Sequence, residues 1–334
     1  MLMADSPLKN KNFCPIPFIQ LQLTPRGVVS ACCFTNEFPV GNINQNSLAE
    51  IWNGEVLQKW RQEFIDNDIQ ICKKAIETFG CQKLYRHLDK HVELEKVQKS
   101  MPKRLDVRLN GQCNLECIMC DVWTFPNGLY DQSDLWTSGP EKIFPFLVEI
   151  DVLGGEPLIQ KDTYKLIDQV SAVNRDCTWS FVSNGQYKFN EKIKSSLDKI
   201  KIRHFHISMD AITPATYSEI RKKGQFDKSL NTLLDIVKYR NDRAAKTGEN
   251  FLVFSSFCVM RQNFFEIIEF HDFCRSNGVI PTFQILSEYD FASPFSIGSF
   301  QGDEKIKATE YLKTALEKIG PDSTLEHIKS QLSL

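Results

Sequence analysis

Six short apolar runs in the later part of the chain constrain its fold more than any other feature. They are rich in β-branched and aromatic residues and lie at 105–109, 149–154, 179–183, 204–209, 251–259 and 282–286. Most are separated by segments with the apolar period of an amphipathic helix, so strands alternate with helices. This alternation predicts βαβ units and a parallel sheet. Six units are too few for a closed eight-stranded barrel, so we expect an α/β fold with a partial (βα)6 TIM-type barrel.

The first hundred residues have a different pattern, which predicts a small α+β domain. Alternating runs at 18–23 and 28–34 predict a β-hairpin. Ser47 followed by Glu50 forms the capping-box pattern that begins a helix. We place a boundary just before Pro102 and expect three parts, namely a domain at 1–100, the barrel at 101–300 and a helical extension at 301–334.

Composition and charge say little about partners but set the chemistry expected of the cysteines. A formal net charge of -2 gives no basis for binding nucleic acid or an anionic membrane. The chain start lacks the apolar segment of a signal peptide, and no run reaches the roughly 20 apolar residues of a membrane helix. We therefore expect a cytoplasmic location without a membrane partner. In that reducing compartment, 11 cysteines are metal ligands or buried thiols rather than disulfides.

Three cysteines, Cys113, Cys117 and Cys120, follow the first predicted barrel strand with the spacing C-x3-C-x2-C. Loops after the strands of α/β folds carry their active sites. Three thiolates on a 4Fe–4S cluster leave one iron open for a small ligand. The alternatives are a zinc site completed by a distant side chain and three buried thiols, but the polar residues between these cysteines disfavour a core position.

Three further stretches end later strands. LGGEP at 153–157 places glycines where the backbone can approach a ligand, and Glu156 can accept a hydrogen bond from an ammonium group. SNG at 183–185 ends the next strand. The segment 206–230 contains Arg221, whose guanidinium fork suits a carboxylate. The ordinary alternatives are a glycine turn, a solvated arginine and, for Asp210 in the same segment, a structural cap, which we favour.

These motifs, in this order over residues 105–287, resemble the radical S-adenosylmethionine (radical SAM) enzymes. The resemblance implies that Cys113, Cys117 and Cys120 are the catalytic residues, because they hold a 4Fe–4S cluster whose open iron binds S-adenosylmethionine. Reduction would then cleave this cofactor to methionine and a 5′-deoxyadenosyl radical. Met119 departs from the pattern, since this position is commonly aromatic. The cofactor-binding residues that the resemblance implies are Met119, Gly154, Gly155, Glu156, Pro157, Ser183, Asn184, Ser208 and Arg221, with Ser208 and Arg221 expected at the ribose and the carboxylate.

A second set of cysteines precedes the barrel. Cys14, Gly27 and Cys32 have the spacing C-x12-G-x4-C, which resembles the SPASM and twitch domains, although those usually follow the barrel. The resemblance implies an auxiliary 4Fe–4S cluster held by Cys14, Cys32, Cys72 and Cys81. We expect this cluster where the carboxyl ends of the barrel strands lie, and Cys33 turned away into the packing of the domain. Structural zinc, unligated thiols, and ligation by Cys33 instead of Cys32 remain open.

The function that these resemblances imply is hydrogen-atom abstraction by the 5′-deoxyadenosyl radical. Relatives with SPASM or twitch domains mostly modify peptides, so a peptide or protein side chain is the first substrate expected, and a carbohydrate or aminocyclitol the second. A flavodoxin or ferredoxin would supply the electron. The competing hypothesis is a non-catalytic iron–sulfur or zinc module that senses redox state. We expect core positions for Cys177, Cys258 and Cys274, and core or cavity-lining positions for His204 and His206.

Overall fold

A nine-stranded sheet organises the computed structural model, which describes residues 7–33, 38–286 and 293–332. In chain order the strands are β1 Gln20–Leu23, β2 Val28–Ser30, β3 Gly41–Asn42, β4 Arg104–Val107, β5 Glu149–Val152, β6 Thr178–Ser183, β7 Lys201–Ser208, β8 Leu252–Val259 and β9 Ile280–Ile285. Strands β4 to β9 are neighbours in both sequence and space, and every adjacent pair is parallel. This parallel run confirms the α/β fold, and its six βα repeats are compatible with the predicted partial barrel.

Helices connect these strands and cover one face of the sheet. The α-helices in the described part of the chain are α1 Ile16–Ile19, α2 Leu48–Trp52, α3 Glu55–Ile65, α4 Lys73–Phe79, α5 Gly139–Lys142, α6 Lys161–Val173, α7 Glu191–Leu197, α8 Pro214–Ile220, α9 Phe226–Thr247, α10 Ile267–Ser276, α11 Gly302–Ile319 and α12 Ser323–Leu332. Helices α5 to α10 lie between successive barrel strands. The predicted capping box is present, because Ser47 Oγ accepts from Glu50 N and the Glu50 carboxylate accepts from Ser47 N at 2.8 Å.

The two faces of the sheet differ in polarity. Side chains on a strand alternate between faces, and Leu105, Ile150 and Phe205 lie in the same hydrophobic core as residues of the covering helices. The alternate positions point to the opposite side, which we call the inner face. They are largely polar along β4 and β5, with Arg104, Asp106, Glu149 and Asp151, and partly aromatic along β7 and β8. The inner face is therefore the surface on which a polar ligand can be held.

The N-terminal hairpin is part of the same sheet as the barrel. Strand β1 pairs in parallel with β4, with Gln20 opposite Arg104, and antiparallel with β2. This pairing covers the backbone donors and acceptors that β4 would otherwise expose at the barrel edge. The core is also continuous, since residues of both regions form one hydrophobic cluster. The boundaries at 100 and 300 stay predictions, and residue 34 of the predicted hairpin lies outside the described residues.

A charged network closes the inner face at the amino-terminal ends of the strands. Arg104 forms ion pairs with Glu149 and Asp151, and Arg203 pairs with Glu149 at 3.0 Å. His87, from the 3-10 helix Cys81–His91, also contacts the Glu149 carboxylate at 3.0 Å. Paired charges therefore occupy the amino-terminal end of the inner face. No helix among the described residues is long and apolar enough to cross a membrane.

Candidate active site

The cysteine loop follows β4 and is fixed by backbone hydrogen bonds to the end of α8 and to the residues just after it. Cys113, Cys117 and Cys120 are all half-buried. Cys120 N donates to Cys117 O at 3.1 Å, which forms a tight turn between two of the three thiols. Ile118 N donates to Ile220 O at 3.0 Å. The structure thus brings the predicted loop to the carboxyl-terminal edge of the sheet with the three thiols on one short segment.

Two side-chain donors reach the sulfur atoms of this loop. Asn184 Nδ2 lies 3.6 Å from Cys113 Sγ, and Arg221 Nη1 lies 3.9 Å from Cys117 Sγ. Burial raises the pKa of Cys117 to about 12, although the Arg221 charge opposes this shift. A metal cluster removes the thiol protons on binding, so these donors fit a site in which the sulfurs carry negative charge. The donor set is suited to a 4Fe–4S cluster with one iron left open.

The two glycines of the LGGEP segment allow a close backbone approach to the cysteine loop. Gly154 and Gly155 have φ values of +82° and +57°. A Cβ atom at Gly155 would lie 2.2 Å from Gln112 O. Glu156 N donates to this same carbonyl at 2.8 Å. Glycine is thus required at 155, because the backbone here packs directly against the residue that precedes Cys113.

The Glu156 carboxylate points into the protein. It is fully buried and accepts hydrogen bonds from Leu158 N, Ser183 Oγ and Asn184 N, the last at 2.6 Å. Burial raises the pKa of Glu156 to about 7. These contacts give the side chain a positioning role that joins LGGEP to SNG. Cofactor contact by Glu156 stays a prediction.

Arg221 and Asp210 form a buried ion pair beside the cysteine loop. Arg221 Nη2 lies 2.6 Å from Asp210 Oδ2. Asp210 has a φ of +56°, and its other carboxylate oxygen accepts from Cys258 N at 2.7 Å. Asp210, for which we favoured a structural cap, and Arg221, the predicted site arginine, are therefore the two members of one ion pair. Arg221 Nε is buried without a hydrogen-bond partner, which leaves one donor for a bound anionic group.

The remaining predicted cofactor residues lie around this pair. Ser208 ends β7, is half-buried and stands opposite Ser256 of β8. Met119 packs in a small apolar cluster with Ile220 and Met260. Pro157 is buried and begins the 3-10 helix Pro157–Ile159. The assignment of these residues to S-adenosylmethionine stays a prediction.

Sequence reasoning missed several members of the site. Asn114 Oδ1 accepts from Asn184 Nδ2 at 2.9 Å, and the Tyr187 hydroxyl lies within hydrogen-bond distance of Ser183 Oγ at 2.9 Å. Cys258 is half-buried beside Asp210, whereas Cys177 and Cys274 are in the core as expected. Asn114 lies between two predicted ligand cysteines, and this position was the sequence signal that could have indicated it. No local pattern marked Tyr187 or Cys258.

The four predicted auxiliary cysteines line one small cavity. Cys14, Cys32, Cys72 and Cys81 are buried, and the rest of the lining is Ile16, Pro17, Trp60, Ala75 and Ile76. Burial raises the pKa of Cys72 to about 12. Four thiols on one cavity fit a closed cluster, because each of them can bind one iron once it has lost its proton.

Two expectations about this cavity are wrong. Cys32 follows β2 at the level of Gln20, the first residue of β1, so the cavity lies near the amino-terminal edge of the sheet. We expected the cavity at the carboxyl-terminal edge of the barrel strands. Because β2 runs antiparallel to these strands, Cys32, which follows β2, lies at their amino-terminal edge instead. Cys33 is exposed rather than packed inside the domain.

Coordination of a single ion is a separate question from cluster binding. Within residues 7–33, 38–286 and 293–332, no group of three or more cysteine, histidine or acidic side chains could hold one metal ion. A 4Fe–4S cluster binds each cysteine to a different iron, so its ligands stand farther apart than those of one ion. The cavity and this finding are therefore compatible.

Comparisons with known proteins place these features in a family. Residues 107–274 match the radical SAM superfamily, and residues 14–74 match the SPASM iron–sulfur cluster-binding domain. A probable GTP 3′,8-cyclase of Methanothermobacter thermautotrophicus is 25% identical over 198 residues, which cover 57% of this chain and 59% of that protein. The GTP 3′,8-cyclase of Aliarcobacter butzleri is 24% identical over 186 residues, 54% of each protein. The chain thus spans between half and three fifths of these relatives.

The crystal structure of Streptococcus suis SuiB bound to S-adenosylmethionine has a TM-score of 0.46 and 15% identity, covering 92% of this chain and 71% of that one. The superfamily match extends over half of the chain and contains the cysteine loop, LGGEP, SNG and Arg221 in order. Its cofactors are a 4Fe–4S cluster and S-adenosylmethionine, and SPASM domains bind auxiliary iron–sulfur clusters. The chain therefore belongs to the radical SAM superfamily and carries a SPASM domain ahead of its barrel.

Proposed function

We propose that the protein is a radical SAM enzyme that abstracts a hydrogen atom from a substrate, most favourably a peptide or protein side chain. The observation that carries the proposal is the meeting of the three loop cysteines with Arg221 and Asn184 at one edge of the sheet. Cys113, Cys117 and Cys120 would hold a 4Fe–4S cluster, which would supply the electron for cleavage of S-adenosylmethionine to methionine and a 5′-deoxyadenosyl radical. A flavodoxin or ferredoxin is the reductant that we propose.

The protein residues around the loop bind and orient the cofactor in this proposal. Cys113, Cys117 and Cys120 hold three irons, and Asn184 stabilises the charge on Cys113 Sγ. Arg221 Nε donates to the cofactor carboxylate while its Nη2 stays paired with Asp210. Gly154 and Gly155 keep the backbone of LGGEP close to the loop. The buried Glu156 carboxylate follows β5 and accepts hydrogen bonds from Ser183 and Asn184 at the end of β6. It therefore holds the ends of these two strands together.

The part of the inner face next to this site is lined by neutral side chains, which favours a substrate whose reacting group is uncharged. The His206 ring is parallel to the Phe254 ring with centroids 4.4 Å apart. Burial lowers the pKa of His206 to about 4, so the imidazole is neutral at physiological pH. Val182, on the adjacent strand, is 37% exposed. A neutral peptide side chain can pack on this surface without leaving a charge unpaired.

The relatives' activity gives a second candidate, a nucleoside triphosphate, since the two relatives described above are a probable GTP 3′,8-cyclase and a GTP 3′,8-cyclase. The charged half of the inner face disfavours it. Arg104, Arg108 and Arg203 contact Asp151, Asp106 and Glu149 respectively. A triphosphate would have to displace these carboxylates to gain arginine contacts. A carbohydrate or aminocyclitol, the other alternative, is compatible with the neutral surface, and we rank it second to a peptide.

Anaerobic reconstitution with iron and sulfide tests the proposed function. The protein should bind about eight irons, two clusters of four, and cleave S-adenosylmethionine when dithionite is added. The triple variant Cys113→Ala/Cys117→Ala/Cys120→Ala should keep about four irons and lose all cleavage. A redox-sensing module would bind iron in the wild type without cleaving the cofactor, which would refute the enzyme.

The substrate is tested separately with the reconstituted enzyme. GTP with Mg²⁺ and a short peptide encoded beside the gene for this chain are each incubated with S-adenosylmethionine. Mass spectrometry should show a modified peptide and unchanged GTP. Conversion of GTP would overturn the peptide assignment while leaving the radical chemistry intact.

A further inference from the structure

Trp60 lies directly against the auxiliary cysteine cavity. It belongs to α3, is 0% exposed and lines the same cavity as the four cysteines. Its indole Nε1 donates to Cys72 Sγ at 3.1 Å. A buried indole N–H normally finds an acceptor, and here the acceptor is a predicted cluster ligand. The contact therefore joins a neutral donor to a sulfur that a bound cluster would make negative.

Backbone N–H groups also reach the Cys14 and Cys81 thiols, but the bond from Trp60 comes from a side chain and can be removed by substitution. The other non-cysteine residues of the lining, Ile16, Pro17, Ala75 and Ile76, have no side-chain donor. An apolar environment disfavours additional negative charge. Reduction of a cluster adds one negative charge, part of which resides on the cysteine sulfurs. An N–H donor stabilises the reduced state more than the oxidised state, and hydrogen bonds to sulfur are among the factors that set cluster potentials.

We propose that Trp60 sets the reduction potential of the auxiliary cluster through its hydrogen bond to Cys72. Trp60 is a positioning residue that acts through Cys72 and does not touch substrate. The inference rests on the assignment of the auxiliary cluster to Cys14, Cys32, Cys72 and Cys81. It does not depend on the identity of the substrate. With the bond in place, the auxiliary cluster accepts an electron more readily than its apolar cavity alone would allow.

The expected size follows from the value of one neutral hydrogen bond. Loss of such a bond changes the ratio of reduced to oxidised cluster roughly tenfold at a fixed potential. For a one-electron couple, a tenfold change corresponds to a shift of about 59 mV. Removal of the N–H should therefore lower the potential by about this amount.

The test uses full-length protein whose loop cysteines are replaced by alanine, so that the auxiliary cluster alone is titrated. The reduction potential of this cluster is measured by a redox titration that is monitored by electron paramagnetic resonance. Trp60→Phe should lower the potential by about 59 mV. The matched control is Trp52→Phe, in the same region, because Trp52 Nε1 donates to Ser100 O at 2.7 Å and not to a cysteine. The control should leave the potential unchanged.

A shape-preserving replacement separates tuning from packing. Site-specific incorporation of 3-benzothienylalanine at position 60 keeps the bicyclic ring and removes only the N–H. It should retain the iron and reproduce the lower potential. An unchanged potential would overturn the proposal, and so would loss of iron from this variant, since the indole would then only support the fold. Absence of iron in the parent triple variant would instead refute the four-cysteine ligand set.

Discussion

The two cysteine sites of this protein have different surroundings. The loop cysteines are half-buried and receive contacts from an amide and a charged guanidinium, whose partner Asp210 is also buried. The cavity cysteines are buried among apolar side chains, and a neutral indole contacts one of them. The loop thus resembles a site that exchanges a charged ligand, and the cavity a closed site. The difference is consistent with the roles that we propose, which are cofactor cleavage at the loop and electron transfer or structural support at the cavity.

Loss of a cavity ligand should have the largest and most selective effect. Cys72→Ala should remove about four irons while cofactor cleavage without substrate persists, because the loop is a separate site. Product formation should fall much further than cleavage. Iron content and 5′-deoxyadenosine release measure the two effects. The matched variant is Cys33→Ala, which removes an exposed cysteine and should keep all the iron. Full iron and turnover in the Cys72 variant would contradict a ligand role.

Gly155→Ala should damage the loop side strongly. The new methyl group would lie 2.2 Å from Gln112 O at a φ of +57°, so the loop must shift. We expect about 2–5 kcal/mol of lost stability and loss of cofactor cleavage. Gly248→Ala is the control, since its φ is +76° with no atom within 4 Å, and it should cost about 1–2 kcal/mol. Equal costs in thermal unfolding would show that Gly155 does not support the loop.

Arg221→Ala should weaken S-adenosylmethionine binding by about 1.5–3 kcal/mol with the iron content unchanged. The reason is loss of the unpartnered Nε donor beside the loop. Asp210→Asn removes the same ion pair but keeps the guanidinium, so it should retain most of the affinity. Calorimetry on reconstituted protein distinguishes the two variants. Equal loss in both would mean that the ion pair, and not the arginine donor, supports binding.

The smallest effect concerns the protonation of Glu156. Its pKa in the folded protein, about 7, is above the usual 4.5. The stability that the protonated carboxyl contributes is complete below pH 4.5 and is lost as the pH rises through 7. The melting temperature should therefore fall between pH 5 and pH 8 more in the wild type than in Glu156→Gln. Parallel curves would show that Glu156 does not titrate in this range.

Local sequence patterns predicted the parts of the molecule that depend on local structure. The six barrel strands, the capping box at Ser47 and the cysteine loop follow from periodicity and spacing. Pairing of β1 with β4 was not predicted, because it joins residues 84 positions apart without a local signal. The inward direction of the Glu156 carboxylate and the Arg221–Asp210 pair likewise depend on side chains from separate strands. The resemblance to SPASM and twitch domains implied four thiols, which line one cavity, but only the strand direction showed which edge of the sheet they occupy.

The parallel pairing of β1 with β4 also determines when the N-terminal region can finish folding during translation. Strand β1 cannot pair until Arg104–Val107 have left the ribosome, long after Cys14, Cys32, Cys72 and Cys81 have emerged. Closing so long a segment is entropically costly until barrel contacts compensate. We therefore expect iron insertion at these cysteines to follow translation of the first barrel strand. Protease resistance of nascent chains stalled before and after residue 107 would reveal this order.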